Sequence, residues 1–216
     1  MKRIMKRIMK RIMKKKIKRN RICVVGWYFF HDFYKLLFKS KLDIYIVAHR
    51  YHKILDDLKF NYTVIDNVGL EFGVYDWYIK NVWDKKSNVI FMHDDMEIKN
   101  KNTLLRIFNK CKKLKIDQSY IFGENCEGPH GRCIYMSRCF IDKIKKDYGG
   151  IWYDKENIGY IHHKQQPIGW DKKRYNLGTY NFFKMATEIG LKYNKITGVS
   201  LNFSGMIPYG RGSHPL

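Results

Sequence analysis

The sequence predicts an α/β fold, a single domain built on a mainly parallel central sheet. Three observations carry this. From residue 22 onward, short β-rich runs alternate with stretches of helical periodicity, the pattern of β-α-β units. One of those runs, Asn88-Val89-Ile90-Phe91-Met92, is almost wholly apolar, as suits a strand buried on both faces. The chain has 216 residues, 45% hydrophobic and 16% aromatic, which is enough for one sizeable core and short for two.

The elements follow in order. Ile22-Cys23-Val24-Val25-Gly26 reads as the first strand, and Phe33, Leu36 and Leu37 mark the apolar face of the helix after it. Asp43–Ala48 is the second strand and Tyr62–Asp66 the third. A glycine-bearing turn then leads to a helix carrying Tyr75, Tyr78, Ile79 and Val82, and Asn88–Met92 follows as the fourth strand. Leu104, Phe108, Cys111 and Leu114 recur at three- to four-residue steps, so residues 102–115 form an amphipathic helix. Two further strands, 119–123 and 132–137, flank a loop rich in Gly, Cys and His. Residues 149–178 are irregular and long for a connection, which points to a functional loop. A last helix, 180–189, stops at Gly190, and a strand through Val199 leads to the polar end Gly210–His214.

Ahead of this domain, expected over residues 22–216, Met-Lys-Arg-Ile occurs three times in residues 1–12. Residues 1–21 hold seven lysines, five arginines and no acid, twelve charges of the net +22. They are expected to be a flexible basic extension, with attachment of residues 1–20 to an anionic membrane surface as the alternative. Because the excess is concentrated there, nucleic acid is not the expected partner. A nucleic-acid-binding protein using the tail and exposed aromatics remains the non-enzymatic rival. No run of 18 apolar residues and no secretory apolar region occurs, so no spanning helix is expected. Cys23, Cys111, Cys126, Cys133 and Cys139 contain no C-x-x-C pair, which suits a reducing, cytoplasmic compartment. Cys126, His130, Cys133 and Cys139 are close enough to suggest zinc, but their spacing matches no usual paired knuckle, and free buried thiols are the simpler reading.

The chemistry concentrates where the fourth strand runs into His93-Asp94-Asp95. In open α/β sheets ligands bind beyond the carboxyl ends of the strands. Two adjacent aspartates there repel each other unless a cation intervenes, and Mn²⁺ or Mg²⁺ bridging them to a diphosphate removes the penalty. The plain alternative is that Asp94 and Asp95 begin a loop or cap the next segment. Upstream lies Asn67-Val68-Gly69-Leu70-Glu71-Phe72-Gly73, where glycine permits a tight turn and close backbone approach to a ligand. A simple strand-to-helix turn is its structural alternative.

The succession of strand, Asn-x-Gly turn, helix, apolar strand and acidic pair resembles the nucleotide-binding half of GT-A glycosyltransferases, especially the family 2 and rhamnan-synthesis-like branches. Gly131–Ile144, with Ser137-Arg138, resembles the passage from a donor-side strand to a helix in the same enzymes. A narrower likeness is to small glycosyltransferase domains of large algal viruses, which act on capsid glycans; for a viral protein the cytoplasm would be the host's. The resemblance implies a GT-A (Rossmann-like) domain and a hexosyl- or deoxyhexosyltransferase. The donor it implies is UDP-linked, the cofactor Mn²⁺ or Mg²⁺, and the acceptor a hydroxyl of a glycan or glycoprotein. It places Gly26, Trp27, Tyr28, His49, Asn67, Gly69 and Asp94 at the donor, with Tyr28 or His49 stacking on the base. Asp94, Asp95 and a late His214 fall to the metal. Asp171, beside Trp170, becomes the base that deprotonates the acceptor, with Asp154 and Glu156 as rivals. His162 and His163 are read as surface or packing residues that reach the diphosphate or acceptor only in the sharper reading. Two departures stand out: His93 takes the first place of the usual Asp-x-Asp, and Ala48-His49-Arg50 replaces the aspartate that often contacts uracil. A nucleotidyltransferase of similar topology is the second enzyme reading, but it normally carries a glycine-rich loop after the first strand, where this chain has Gly26-Trp27-Tyr28-Phe29-Phe30.

Overall fold

Among the described residues the β-rich runs become five strands: β1 (Asn20–Gly26), β2 (Ile44–Ala48), β3 (Asn61–Val64), β4 (Asn88–His93) and β5 (Cys133–Met136). Between and after them lie helices α1 (His31–Ser40), α2 (Ile54–Asp57), α3 (Leu70–Asn81), α4 (Lys101–Lys113) and α5 (Arg138–Tyr148). This computed structural model describes residues 20–94, 96, 98, 101–113, 133–151, 184, 185, 188 and 189. The strands expected at 119–123 and through Val199, the basic tail, and nearly all of the 149–178 loop and the 180–189 helix lie outside the described residues.

The strands form one sheet in the order β3-β2-β1-β4-β5. The first four are parallel and β5 runs antiparallel beside β4. This is the α/β architecture that the alternation predicts, with one reversal at an edge. α2 was not expected, because a single turn of four residues has no period to read.

Alternation along the strands sorts the core into two layers. Ile22, Val24, Ile46, Ala48, Ile90 and Met92 face α1 and α4, where Phe33, Tyr34, Leu37, Leu104 and Phe108 meet them. Cys23, Val25, Val47, Val89 and Phe91 face α3 and α5, where Phe72, Tyr75, Tyr78, Phe140 and Ile144 meet them. Local rules set the helix ends. Gly69, at φ 76°, turns the chain into α3 in a conformation that suits glycine. Ser137 caps α5 by accepting a hydrogen bond from Phe140 N at 3.2 Å, which accounts for the serine at that strand-to-helix passage.

The topology also fixes where a ligand would sit. β1, β2 and β3 build the sheet in one direction, and the chain then returns across β1 to lay β4 on its other side. The carboxyl ends of β1 and β4 therefore border a topological switch point, the usual binding crevice of such sheets. The pairing continues one residue past the strands on both sides of β1: His49 N donates to Gly26 O at 3.0 Å and Asp94 N donates to Val25 O at 3.2 Å.

Candidate functional site

Asp94 is fully buried at this edge. Its Oδ2 accepts hydrogen bonds from three successive backbone amides, Trp27 N at 2.9 Å, Tyr28 N at 3.0 Å and Phe29 N at 2.9 Å. A fourth comes from Tyr34 Oη at 3.0 Å. Three consecutive amides turned toward one point form a nest of the kind that binds anions, and here the anion is part of the chain. Phe29 takes φ 59°, unusual for a bulky residue, so that its amide can join the other two. Burial raises the carboxyl pKa of Asp94, while His93 and the three amides oppose the rise. Burial, then Asp94 itself, pushes the Tyr34 phenol well above its usual value. Oδ1 of Asp94 is buried without a hydrogen bond, with His93 Nδ1 4.0 Å away.

The residues expected at the donor gather at the same edge. Gly26 ends β1 where a Cβ would press on Tyr34 Oη at 3.1 Å and on Ala48 and Ile46 at 3.2 Å, so packing asks for glycine here. The Trp27 ring is buried edge-on to His49 at 6.0 Å. Tyr28 is half-buried, stacked on Phe30 at 5.6 Å and edge-on to His93 at 6.0 Å. Asn67 and Gly69 lie at the entry to α3. His93, half-buried, closes β4. Asp95, Asp171 and His214 lie outside the described residues. Among the described residues no three His, Cys, Asp or Glu side chains group as a metal site.

Three contributors were missed in the sequence. Tyr34 was not singled out there: it stands next to Phe33 on α1, and nothing local distinguishes it. Arg50 reads only as a missing aspartate, yet its Nε donates to Trp27 O at 2.9 Å and its guanidinium lies 5.7 Å from the Trp27 ring and 5.4 Å from the Phe29 ring. Burial lowers the Arg50 pKa and Asp94 opposes that. Glu71 is 4% exposed. Its spacing to Tyr75 and Tyr78, four and seven residues on, was the available signal that it shares their sheet-facing stripe.

His49 is neutral across the physiological range. Burial first, and then His93, push its pKa from 6.5 to about 4. Because the folded value lies below the unfolded one, the associated stability is fully present above pH 6.5 and is lost as pH falls toward 4. The shift is worth about 3 kcal/mol at most. Urea unfolding at pH 7 and pH 4.5 is expected to show this loss, and His49→Gln is expected to flatten that part of the profile. An unchanged slope in the variant would refute the assignment to His49.

No family profile and no curated protein matches this chain. Solved structures do. A Drosophila beta-1,4-galactosyltransferase 7, in complex with manganese, UDP-Gal and xylobiose, aligns at TM-score 0.50 and 8% identity, over 87% of this chain and 68% of that one. A 4-diphosphocytidyl-2C-methyl-D-erythritol synthase from Anaerococcus prevotii aligns at TM-score 0.52 and 10% identity, over 89% of this chain and 92% of that one. Likeness at such identities concerns the backbone: this chain has the α/β fold shared by GT-A glycosyltransferases and nucleotidyltransferases.

Proposed function

We propose that this chain is a metal-dependent glycosyltransferase that moves a sugar from a nucleoside diphosphate donor to a hydroxyl of a glycan or glycoprotein. The observation that carries the choice over nucleotidyl transfer is the occupied nest. Trp27, Tyr28 and Phe29 have their amides committed to Asp94, so the loop after β1 has none of these donors left for a triphosphate. What remains accessible at the crevice is the half-buried aromatic surface of Tyr28 and Phe30 beside His93, which suits stacking on a base or sugar face.

In this proposal the acidic pair divides its work. Asp94, with Oδ2 saturated, holds the loop, and Asp95 with His214 takes the metal. Carboxylate oxygen and imidazole nitrogen together make a donor set that suits Mn²⁺. When bound, the cation offsets the charge that develops on the departing diphosphate. Asp171 accepts the proton of the acceptor hydroxyl as it attacks the anomeric carbon, so the sugar–phosphate bond breaks as the new glycosidic bond forms. Arg50 keeps Trp27 and Phe29 in place through its bond to the Trp27 carbonyl.

The test is release of nucleoside diphosphate from a panel of nucleotide sugars with Mn²⁺ present, read beside calorimetric binding of the free diphosphates. Metal-dependent turnover of one donor and no pyrophosphate release from a nucleoside triphosphate with a sugar phosphate is the expected result. Pyrophosphate release would transfer the assignment to the nucleotidyltransferases.

A further inference from the structure

Polar side chains buried on the α3 side of the crevice have atoms that make no hydrogen bond: Asn67 Oδ1, Glu71 Oε1 and both ring nitrogens of His49. Asn67 is 9% exposed and Glu71 4%. They are neighbours by construction. His49 extends β2 on the face of Tyr45 and Val47. Polar contacts from the backbone at Ile65, Asp66 and Leu70, outside strict hydrogen-bond geometry, and the His93 ring both bear on the charge of His49. Asn67 and Glu71 flank Gly69 at the start of α3.

The direction of α3 shows where Glu71 points. Tyr75 and Tyr78 meet Phe91 of β4 with ring centroids 4.4 and 5.8 Å away. α3 joins two parallel strands and so runs against them. One turn back from Tyr75, Glu71 overlies the carboxyl end of the sheet, on the His93 face of β4.

Buried polar atoms are nearly always bonded, so four such atoms at the edge of one sheet mark a recognition pocket. Its chemistry is selective. A helix start usually attracts anions, but Glu71 already supplies negative charge in the first turn, which disfavours phosphate. Neutral imidazole has one donor and one acceptor nitrogen. With the oxygens of Asn67 and Glu71, the pocket offers three acceptors to one donor. Its ligand must therefore be rich in donors and carry no negative charge. Uracil presents one N–H between two carbonyls. Guanine presents N1–H and its 2-amino group side by side, with O6 left to accept the single donor.

We propose that His49, Asn67 and Glu71 form the base pocket of the nucleotide site and select guanine over uracil. This rests on the nucleotide-donor function proposed above, and it replaces the UDP-linked donor that the family resemblance implies. Calorimetric titration of the full chain with GDP and with UDP, each with Mn²⁺, is expected to give at least about tenfold tighter binding of GDP, a difference of about 1.4 kcal/mol. Glu71→Gln is expected to bring the two within about threefold by weakening GDP alone. UDP binding as tightly as GDP overturns the pocket assignment and leaves the donor function standing. Binding of neither overturns both. If the free diphosphates tie and only their sugar-linked forms separate, the pocket holds sugar hydroxyls, and the base assignment falls. The wild-type comparison decides the matter even where the variant does not fold.

Discussion

Asp94→Ala is expected to cost about 4–6 kcal/mol, a large fraction of the roughly 5–15 kcal/mol that stabilises an ordinary domain. The substitution strips a buried acceptor from three amides and the Tyr34 hydroxyl at once. Each buried donor left unbonded costs about 1–3 kcal/mol, and the sum is reduced to the extent that the loop opens to water. Recovering the cost of burying a carboxylate offsets part of the loss, since burial raises the Asp94 pKa. Asp94→Asn keeps an acceptor oxygen at nearly the same place and is expected to lose about half as much. Urea midpoints measure the scale, and the near-ultraviolet dichroism of Trp27 reports whether the loop has moved. An alanine variant within 1 kcal/mol of the parent would mean that Asp94 does not hold the loop.

Asp95→Ala is expected to do the reverse. With the anchor intact the fold should keep its melting temperature, while the loss of a cation ligand removes several kcal/mol of transition-state stabilisation, about 10²- to 10³-fold in turnover. The neighbouring residues are thus separable by a pair of measurements, melting temperature and Mn²⁺-dependent donor turnover. Full activity in Asp95→Ala would remove Asp95 from the metal and with it the division of labour within the pair.

β1, β2, β4 and β5 were legible as apolar runs bounded by polar residues, and β3, Asn61-Tyr62-Thr63-Val64, which is partly exposed, by its aromatic and β-branched residues. Ile22–Gly26 was expected and Asn20–Gly26 is observed; Tyr62–Asp66 was expected and Asn61–Val64 is observed. The α4 helix, expected over 102–115, is described over Lys101–Lys113. Strand order was not legible, since pairing joins residues far apart in sequence: Val89 of β4 meets Met136 of β5. The role of Asp94 was hidden for a related reason. β4 is apolar on both faces, so nothing in Val89-Ile90-Phe91-Met92 tells which way the next residue turns. A ligand and an anchor then look alike, and only the amides of a loop more than sixty residues earlier distinguish them. That the aromatic loop lacks the glycine pattern of a phosphate loop was legible, because a missing pattern is a local property.

The alternation of β4 has a consequence for which insertions and deletions the chain can tolerate. Odd-numbered positions of this strand look toward α3 and even-numbered ones toward α1 and α4. Inserting one residue between Asn88 and Met92 would reverse the parity and bring His93 beneath the aromatic loop, leaving three amides facing an imidazole. The distance from Asn88 to Asp94 is therefore fixed by count as well as by length. Sequences that share this site should keep the number of residues from Asn88 to Asp94 even where their surface loops differ in length.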